Sequence, residues 1–157
     1  MNINRRLYFN RFARMLGVSV VGASAVFQKV FADDSETIAQ PEETGPSDMM
    51  RRAFDMRQLA VESGDQAYGG VIVKANKIIG QAPSRVIVNN DPTAHAEVEA
   101  IRDATRRLQS RDLSGCTMYS STRPCPMCEA AAYWAGIERL VYSEDIIDGG
   151  HPRLSRC

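Results

Sequence analysis

Two short segments of this 157-residue chain combine side chains that could hold a metal ion and move a proton. One is His95–Glu97, with the sequence HAE, and the other is Pro124–Cys128, with the sequence PCPMC. One imidazole and two thiols form a ligand set for a catalytic zinc ion, which takes three protein ligands and leaves its fourth position for water. Zinc lowers the pKa of such a water to about 7, and a carboxylate that is not a ligand can accept its proton. The two segments therefore predict a hydrolytic enzyme.

The spacing within each segment indicates how the side chains converge. Cys125 and Cys128 are three residues apart and share one face of a helix, with Pro126 in the first turn, where proline is tolerated. His95 and Glu97 are two residues apart and do not share a face, so they can serve one water only around the N-terminal tip of their helix. The N–H groups and positive dipole at a helix start favour thiolate over thiol. We expect two helix tips to meet at one cation.

Other interpretations of these residues remain open. A structural zinc site would take four protein ligands and would leave the Glu97 carboxylate without a function, and the spacing could also be accidental. A thioredoxin-like redox role for the CPMC sequence would leave His95 and Glu97 unexplained. The metal content of the purified protein distinguishes these interpretations.

The elements that must position these residues alternate between helices and strands, in the order αββαβαβ. Helices are predicted from Ser47 or Asp48 to the residue before Gly64, from a cap at Thr93 to about Ser110, and from Pro126 to Ala135. Strands are predicted at Gly69–Ala75, Lys77–Gln81, Cys116–Ser120 and Arg139–Ser143, the first two forming a hairpin around Asn76. The core-facing residues are expected to be Met49, Ala53, Met56 and Ala60 in the first helix and Val98, Ile101, Thr105 and Leu108 in the second. This order predicts an α/β fold, a three-layer α/β/α sandwich with a mixed sheet and helices on both faces.

The first 32 residues have the composition of an export signal. Arg5 and Arg6 precede an apolar run, Met15–Phe27, and a small-residue cleavage pattern ends at Ala32. The run is shorter than the roughly 20 apolar residues that span a bilayer. The arginine pair, with Lys29 after the apolar run, favours a bacterial twin-arginine signal peptide and a periplasmic location. A general secretory signal and a retained anchor helix are the alternatives.

The charge of the remaining chain argues against a nucleic-acid substrate. Residues 1–32 contain five basic residues and no acidic one, so residues 33–157 hold 14 basic and 19 acidic residues, a net charge of −5. Such a domain lacks the basic surface with which proteins bind a phosphate backbone. Residues 33–46 are polar and acidic and predict a flexible linker, which leaves 47–157 as one domain. Cys116 and Cys157 stand outside the CPMC sequence, and a disulfide between them is a weak alternative to two free thiols.

The sequence around the two segments resembles the cytidine and deoxycytidylate deaminase superfamily. H-x-E followed by P-C-x-x-C is the signature of zinc deaminases. The wider segments Asp91–Ala104 (DPTAHAEVEAIRDA) and Pro124–Ala135 (PCPMCEAAAYWA) are most similar to bacterial guanine deaminases and next to tRNA adenosine deaminases. The similarity extends from about Met49 to Tyr142. It implies a cytidine-deaminase-like sandwich, a zinc-dependent deaminase domain at 47–157, one Zn²⁺ per chain and a homodimer.

The resemblance also implies a role for particular residues. His95, Cys125 and Cys128 would bind zinc, Glu97 would transfer protons, and Tyr68, Ser84, the Ala96 N–H and Trp134 would contact the substrate. Two positions depart from the family. Ser84 stands where the family uses an asparagine and cannot present an amide pair, and Arg123 stands where the family generally has glutamate before Pro-Cys.

Together these observations predict hydrolytic deamination of a free purine base or a related small aminated heterocycle, with guanine favoured. One alternative is deamination of adenosine or cytidine in tRNA or in nucleosides, which export and the acidic charge disfavour. An alternative of another class is an exported zinc-binding module without catalysis. Ammonia release by the wild type, compared with a Glu97→Ala variant, distinguishes the enzyme from the module.

Overall fold

Eight elements of secondary structure follow one another in the computed structural model, which describes residues 37–154. The predicted signal peptide at residues 1–32, the first part of the predicted linker and Cys157 lie outside the described residues. The helices are α1 (Pro46–Glu62), α2 (Ala96–Leu108) and α3 (Pro126–Trp134), and the strands are β1 (Gly69–Lys74), β2 (Lys77–Pro83), β3 (Cys116–Ser120), β4 (Arg139–Tyr142) and β5 (Ile147–Gly150). Among the helices of residues 37–154, none has the length and apolar composition needed to cross a membrane.

The five strands form one mixed sheet in the order β2-β1-β3-β4-β5. Strand β1 pairs antiparallel with β2 and with β3, β3 pairs parallel with β4, and β4 pairs antiparallel with β5. A parallel pair needs a crossover connection, and α3 supplies it between β3 and β4. The predicted α/β fold with a mixed sheet is confirmed.

Alternating side chains of the sheet divide the core into two layers. Val71 and Val73 of β1 pack towards α1, whereas Ile72 between them packs towards α2 and α3. The layer under α1 includes Met49, Ala53, Met56, Val71, Val73, Tyr119 and Val141. The layer under α2 and α3 includes Ile72, Ala100, Ala104, Met118, Ala132, Ile137 and Leu140. Because burying one aliphatic side chain stabilises a fold by about 1.5–3 kcal/mol, the two layers fix the sheet between the helices.

The helices lie so close to β1 and β2 that no side chain fits between the backbones. A Cβ on Gly70 would lie 2.8 Å from the Ala96 carbonyl oxygen and 3.1 Å from the Glu97 Cα, and one on Gly80 would lie 2.6 Å from the Ala104 Cβ. On the opposite face of the sheet, a Cβ on Gly69 would lie 2.1 Å from the carbonyl oxygen of Ala53 in α1. Strand β1 is therefore held directly between the backbones of two helices.

This close approach explains why the predicted core face of α2 was wrong. The buried residues of α2 are small or polar: Ala96, Glu97, Ala100, Asp103 and Ala104. Of the four larger residues predicted to face the core, Ile101 is partly buried against it and Leu108 is exposed. Large side chains would hold the helix away from the glycines of the sheet, so they lie on its flanks.

The start of α1 differs from expectation, and the segment before it contacts the sheet. Helix α1 is capped by Gly45, whose N–H donates to the Asp48 carboxylate at 3.1 Å, so the predicted cap at Ser47 or Asp48 was wrong. Gln40 belongs to the segment predicted as a flexible linker. Its side-chain amide accepts from the Ile78 N–H at 2.8 Å and donates to the Ile78 carbonyl at 3.0 Å. Gln40 thus attaches this segment to β2, at one edge of the sheet.

Strand β5 is the element that the sequence did not predict. Its four residues, IDGG, are all exposed and include two glycines, so they show neither an apolar alternation nor a β-branched run. Backbone pairing with β4 defines the strand.

Candidate functional site

The N-terminal tips of α2 and α3 meet at one end of the sheet. His95 immediately precedes α2, Cys125 immediately precedes α3, and Cys128 lies in the first turn of α3. The Nδ1 atom of His95 is 3.8 Å from the Cys125 Sγ and 3.6 Å from the Cys128 Sγ, and the two sulfurs are 3.6 Å apart. The structure thus brings together the three residues expected to bind a metal.

These separations fit a tetrahedral zinc ion. With Zn–S bonds of about 2.3 Å and Zn–N bonds of about 2.0–2.1 Å, the ligand atoms of a tetrahedral site lie roughly 3.5–3.8 Å from one another. The three observed separations, 3.6, 3.6 and 3.8 Å, agree with that geometry. A set of three protein ligands is also the number found in catalytic zinc sites, where one position stays open.

The backbone before each helix turns the ligand side chains towards one another. His95 is the N-cap residue of α2 in an extended conformation, with φ −63° and ψ 149°, and its ring does not cap the helix. The predicted cap at Thr93 was wrong, because the Thr93 hydroxyl donates to Asp91 at 2.7 Å within the preceding turn. Cys125 has a similar extended conformation before Pro126, with φ −73° and ψ 167°. Each N-cap side chain is therefore free to point away from its own helix and towards the other.

The buried Cys128 sulfur lies beside other groups that can carry negative charge, so its thiolate form needs a cation nearby. Burial raises the pKa of the Cys128 thiol, and the neighbouring Glu97 carboxylate and Cys125 sulfur raise it further. A buried thiolate beside a carboxylate is unfavourable without a compensating cation. A divalent ion between the three ligand atoms would supply that charge, so the chemistry of the donor set also fits zinc.

Glu97 lies beside the three ligands without being one of them. Its side chain is buried, its Oε1 accepts a hydrogen bond from the Ser120 hydroxyl at 3.0 Å, and its Oε2 is 3.5 Å from the Cys128 Sγ. Proton transfer needs such a carboxylate within reach of the reacting water. The position of Glu97 therefore suits a general acid and base.

Three of the four residues expected to contact substrate, Tyr68, Ser84 and Ala96, lie at the same end of the sheet as the ligands. Tyr68 directly precedes β1 and is 39% exposed. Ala96 is the first residue of α2, where a backbone N–H has no acceptor within its own helix. An aromatic ring and a free N–H are groups that a planar polar heterocycle can contact.

Ser84 and Trp134 differ strongly from each other in exposure. Ser84 is fully buried, and its hydroxyl donates to the Asp65 carboxylate at 2.7 Å. Trp134 is 76% exposed at the last residue of α3, next to Tyr133 in an edge-to-face contact with ring centroids 5.7 Å apart. Since the nine residues of α3 span about 13 Å, Trp134 lies at the opposite end of the helix from Cys125. The structure does not bring Trp134 to the metal-binding end.

Asp65 is a residue of the site region that sequence reasoning missed. Its carboxylate accepts hydrogen bonds from the Ser84 hydroxyl at 2.7 Å, from the Gln66 N–H at 2.7 Å, and from the Ile87 and Val88 N–H groups at 2.9 Å each. Burial opposes ionisation, but the hydrogen bonds outweigh it and lower the pKa of Asp65 from 3.8 to about 2. Asp65 thus fixes the segment that leads from β2 towards His95. Partners 19 to 23 residues away leave no local sequence signal.

Replacing Asp65 with alanine is expected to lower the free energy of unfolding by about 1–3 kcal/mol near neutral pH, because buried donors lose their acceptor. The pKa of Asp65 is lower in the folded protein, about 2 against 3.8, so its ionisation stabilises the fold fully above pH 3.8. That contribution disappears as the pH falls towards 2. The difference between wild type and variant in urea unfolding should therefore shrink from pH 6 to pH 2.5.

Asp145→Ala is the control for this comparison, because Asp145 is exposed and its removal should change stability by less than about 0.5 kcal/mol. A difference between wild type and Asp65→Ala that stays constant over the pH range would contradict the role of the ionised carboxylate.

A family model, the cytidine and deoxycytidylate deaminase zinc-binding region, matches residues 44–144 of the chain. The matched residues include β1 to β4, all of α1, α2 and α3, and every residue of the metal cluster. The match therefore covers both the fold and the site described above.

Individual proteins of known kind are also similar to the chain. Guanine deaminase from Bacillus subtilis is 41% identical over 100 residues, which are 63% of this chain and 64% of that protein. A tRNA-specific adenosine deaminase from Aquifex aeolicus is 38% identical over 99 residues, 63% of this chain and 66% of that protein. The X-ray structure of the Bacillus subtilis guanine deaminase superposes with a TM-score of 0.58 at 42% identity, covering 60% of this chain and 61% of that one. The chain thus spans slightly less than two thirds of these relatives.

Proposed function

Since the chain belongs to the cytidine and deoxycytidylate deaminase family, we propose that it is a zinc-dependent hydrolase that releases ammonia from a free purine base, with guanine the leading substrate. The observation that carries this proposal is the tetrahedral spacing of His95, Cys125 and Cys128 with a buried carboxylate beside them. The similarity to a guanine deaminase supports the choice of base.

His95, Cys125 and Cys128 would hold the metal, and zinc, when bound, supplies Lewis acidity that lowers the pKa of water. Glu97 accepts a proton from the attacking water at Oε2 and delivers it to a ring nitrogen of the substrate. The water oxygen forms a bond to the ring carbon that carries the amino group. The remaining proton of the added hydroxyl passes through Glu97 to that amino group, the carbon–nitrogen bond breaks, and the products are a ring carbonyl and ammonia.

Residues around the metal cluster would orient the base. The Ala96 N–H can donate to a carbonyl of the ring, and the partly exposed Tyr68 can stack on its face. Ser84 donates its hydroxyl proton to Asp65, so any contact that it makes with substrate uses its remaining acceptor capacity. A homodimer belongs to this proposal, since Tyr133 and Trp134 present exposed aromatic rings on the surface of each chain. Sedimentation of the purified protein tests that state.

A second candidate is deamination of adenosine in tRNA, supported by the similarity to tRNA-specific adenosine deaminases. Residues 33–157 carry a net charge of −5, which disfavours a polyanionic substrate. A zinc-binding module without catalysis is the alternative outside enzymes. The buried carboxylate beside the ligands argues against it, because a module that only binds zinc has no need of one.

Export by the twin-arginine route is also part of the proposal. Arg5 and Arg6 before the apolar run, and Lys29 after it, support it. Because twin-arginine substrates cross the membrane folded, Cys125 and Cys128 would bind zinc before they reach an oxidising compartment. An exported protein that carried a Cys125–Cys128 disulfide and no metal would contradict this order of events.

A substrate panel tests the choice of base. Zinc-loaded protein is incubated with guanine, adenine, cytosine, their nucleosides and pterin-like rings, and ammonia release is measured. We expect guanine to react with the highest kcat/KM, at least about tenfold above any nucleoside, because an added sugar must be accommodated by a pocket shaped for the base. Faster turnover of adenosine in a tRNA anticodon stem-loop would support the second candidate instead. Zinc binding without turnover of any compound would support the module.

A further inference from the structure

Ser120 makes a buried contact with the carboxylate beside the metal cluster. It is the last residue of β3 and is 1% exposed. Its hydroxyl donates to the Oε1 of Glu97 at 3.0 Å, while the other carboxylate oxygen, Oε2, lies 3.5 Å from the Cys128 Sγ. One oxygen of Glu97 is thus bound to the sheet, and the other is directed towards the metal ligands.

The backbone of Ser120 is held on both sides. Its strand pairs with β1, where Gly70 is its partner, and with β4, where Tyr142 is its partner. Gly70 allows the start of α2 to approach β1, because a Cβ at this position would lie only 3.1 Å from the Glu97 Cα. Both the backbone and the carboxylate of Glu97 are therefore fixed against the same two strands.

We propose that Ser120 is a positioning residue for proton transfer by Glu97. A glutamate side chain has three rotatable bonds, and a single hydrogen bond to a rigid strand at Oε1 selects the conformation in which Oε2 faces the ligands. This inference rests on the proposed function, and it adds a residue outside the metal cluster that acts through the Glu97 carboxylate.

The test compares three variants in zinc-loaded protein. Ser120→Ala removes the hydroxyl and should lower kcat by about 10-fold to 100-fold, because a displacement of about 1 Å of a catalytic group costs up to about 100-fold in rate. The KM and the zinc content should stay within about twofold of wild type, since no ligand or substrate contact is lost. Ser120→Thr keeps a hydroxyl at the same position and should restore most of the lost kcat.

Ser121→Ala is the matched control. Ser121 is the next residue, it is 4% exposed, and its hydroxyl accepts the Gly69 N–H at 3.1 Å instead of binding Glu97. It should keep a kcat close to that of wild type. Equal losses of kcat in Ser120→Ala and Ser121→Ala, or a Ser120→Thr variant that folds and binds zinc but is no more active than Ser120→Ala, would overturn the proposal.

A crystal structure of each zinc-loaded variant gives a readout that does not depend on turnover. In Ser120→Ala the Glu97 carboxylate should rotate or occupy two conformers, and in Ser120→Thr it should stay in place. If the wild type deaminates none of the compounds tested, the proposed function fails while these structures still decide the role of Ser120. A Glu97 carboxylate that keeps one unchanged conformation in Ser120→Ala would overturn the positioning role even in an active enzyme.

Discussion

Replacement of Glu97 by glutamine is expected to lower kcat/KM for the preferred base by about 1,000-fold while zinc stays bound. General acid and base catalysis by one side chain contributes about 100-fold to 10,000-fold, and Glu97 is proposed to transfer two protons in each turnover. Glutamine has nearly the same shape and keeps an oxygen that can accept from Ser120, so the packing of the buried side chain survives. The loss should appear in kcat, because the variant lacks a group that can take up and release a proton.

The measurement is ammonia release with zinc content determined on the same samples. Glu99→Gln is the matched control, since Glu99 lies two residues further along α2, forms an ion pair with Arg102 and is not part of the metal cluster. It should keep wild-type activity within about twofold. A Glu97→Gln variant with more than a tenth of wild-type activity would show that another group transfers the proton.

Replacement of Cys128 by alanine is expected to abolish both zinc binding and activity. The variant retains two of the three protein ligands, and two ligands bind zinc with much lower affinity than three. Zinc that binds only the folded state stabilises it by about 2.7 kcal/mol at 100 times its dissociation constant, so wild type should gain thermal stability on zinc addition and Cys128→Ala should not. Removal of the metal from wild type with a chelator should reproduce both losses, and added zinc should reverse them.

Cys116→Ala is the control for this second experiment. Cys116 is fully buried in β3, and burial raises the pKa of its thiol, so it is a neutral core residue outside the metal cluster. Its replacement should cost about 1 kcal/mol of stability and leave zinc content and turnover intact. Full zinc occupancy in Cys128→Ala would show that the Cys128 sulfur is not a ligand.

The sequence predicted those parts of the fold whose determinants are local. Strand β3 has the predicted bounds, Cys116–Ser120, and the turn between β1 and β2 lies at Asn76, which adopts a positive φ of 60°. The positions of Cys125 and Cys128 at the start of α3 also follow from local signals, because Pro126 marks the first turn of that helix. These features depend on residues within about four positions of one another.

The features that the sequence did not predict depend on distant residues. The core face of α2 is set by Gly70 and Gly80 of the sheet, which require alanine where larger residues would normally mark the buried side. Three of the four partners of Asp65 lie 19 to 23 residues away along the chain, and Ser120 lies 23 residues from Glu97. No spacing rule within a helix or strand reports such contacts, so the supporting residues of the site became visible only in three dimensions.

The bare backbone of Gly70 sets how closely the start of α2, with the metal ligand before it, approaches the sheet. Metal ligands must stand within about 0.2 Å of their ideal distances, and one of those ligands immediately precedes a helix whose height above the sheet is limited by contact with Gly70. Gly70 carries no functional group, but its contact with Ala96 and Glu97 fixes the distance between α2 and β1. The position of the reactive side chains therefore depends on a backbone contact beneath the helix, made by a glycine that takes no part in the reaction.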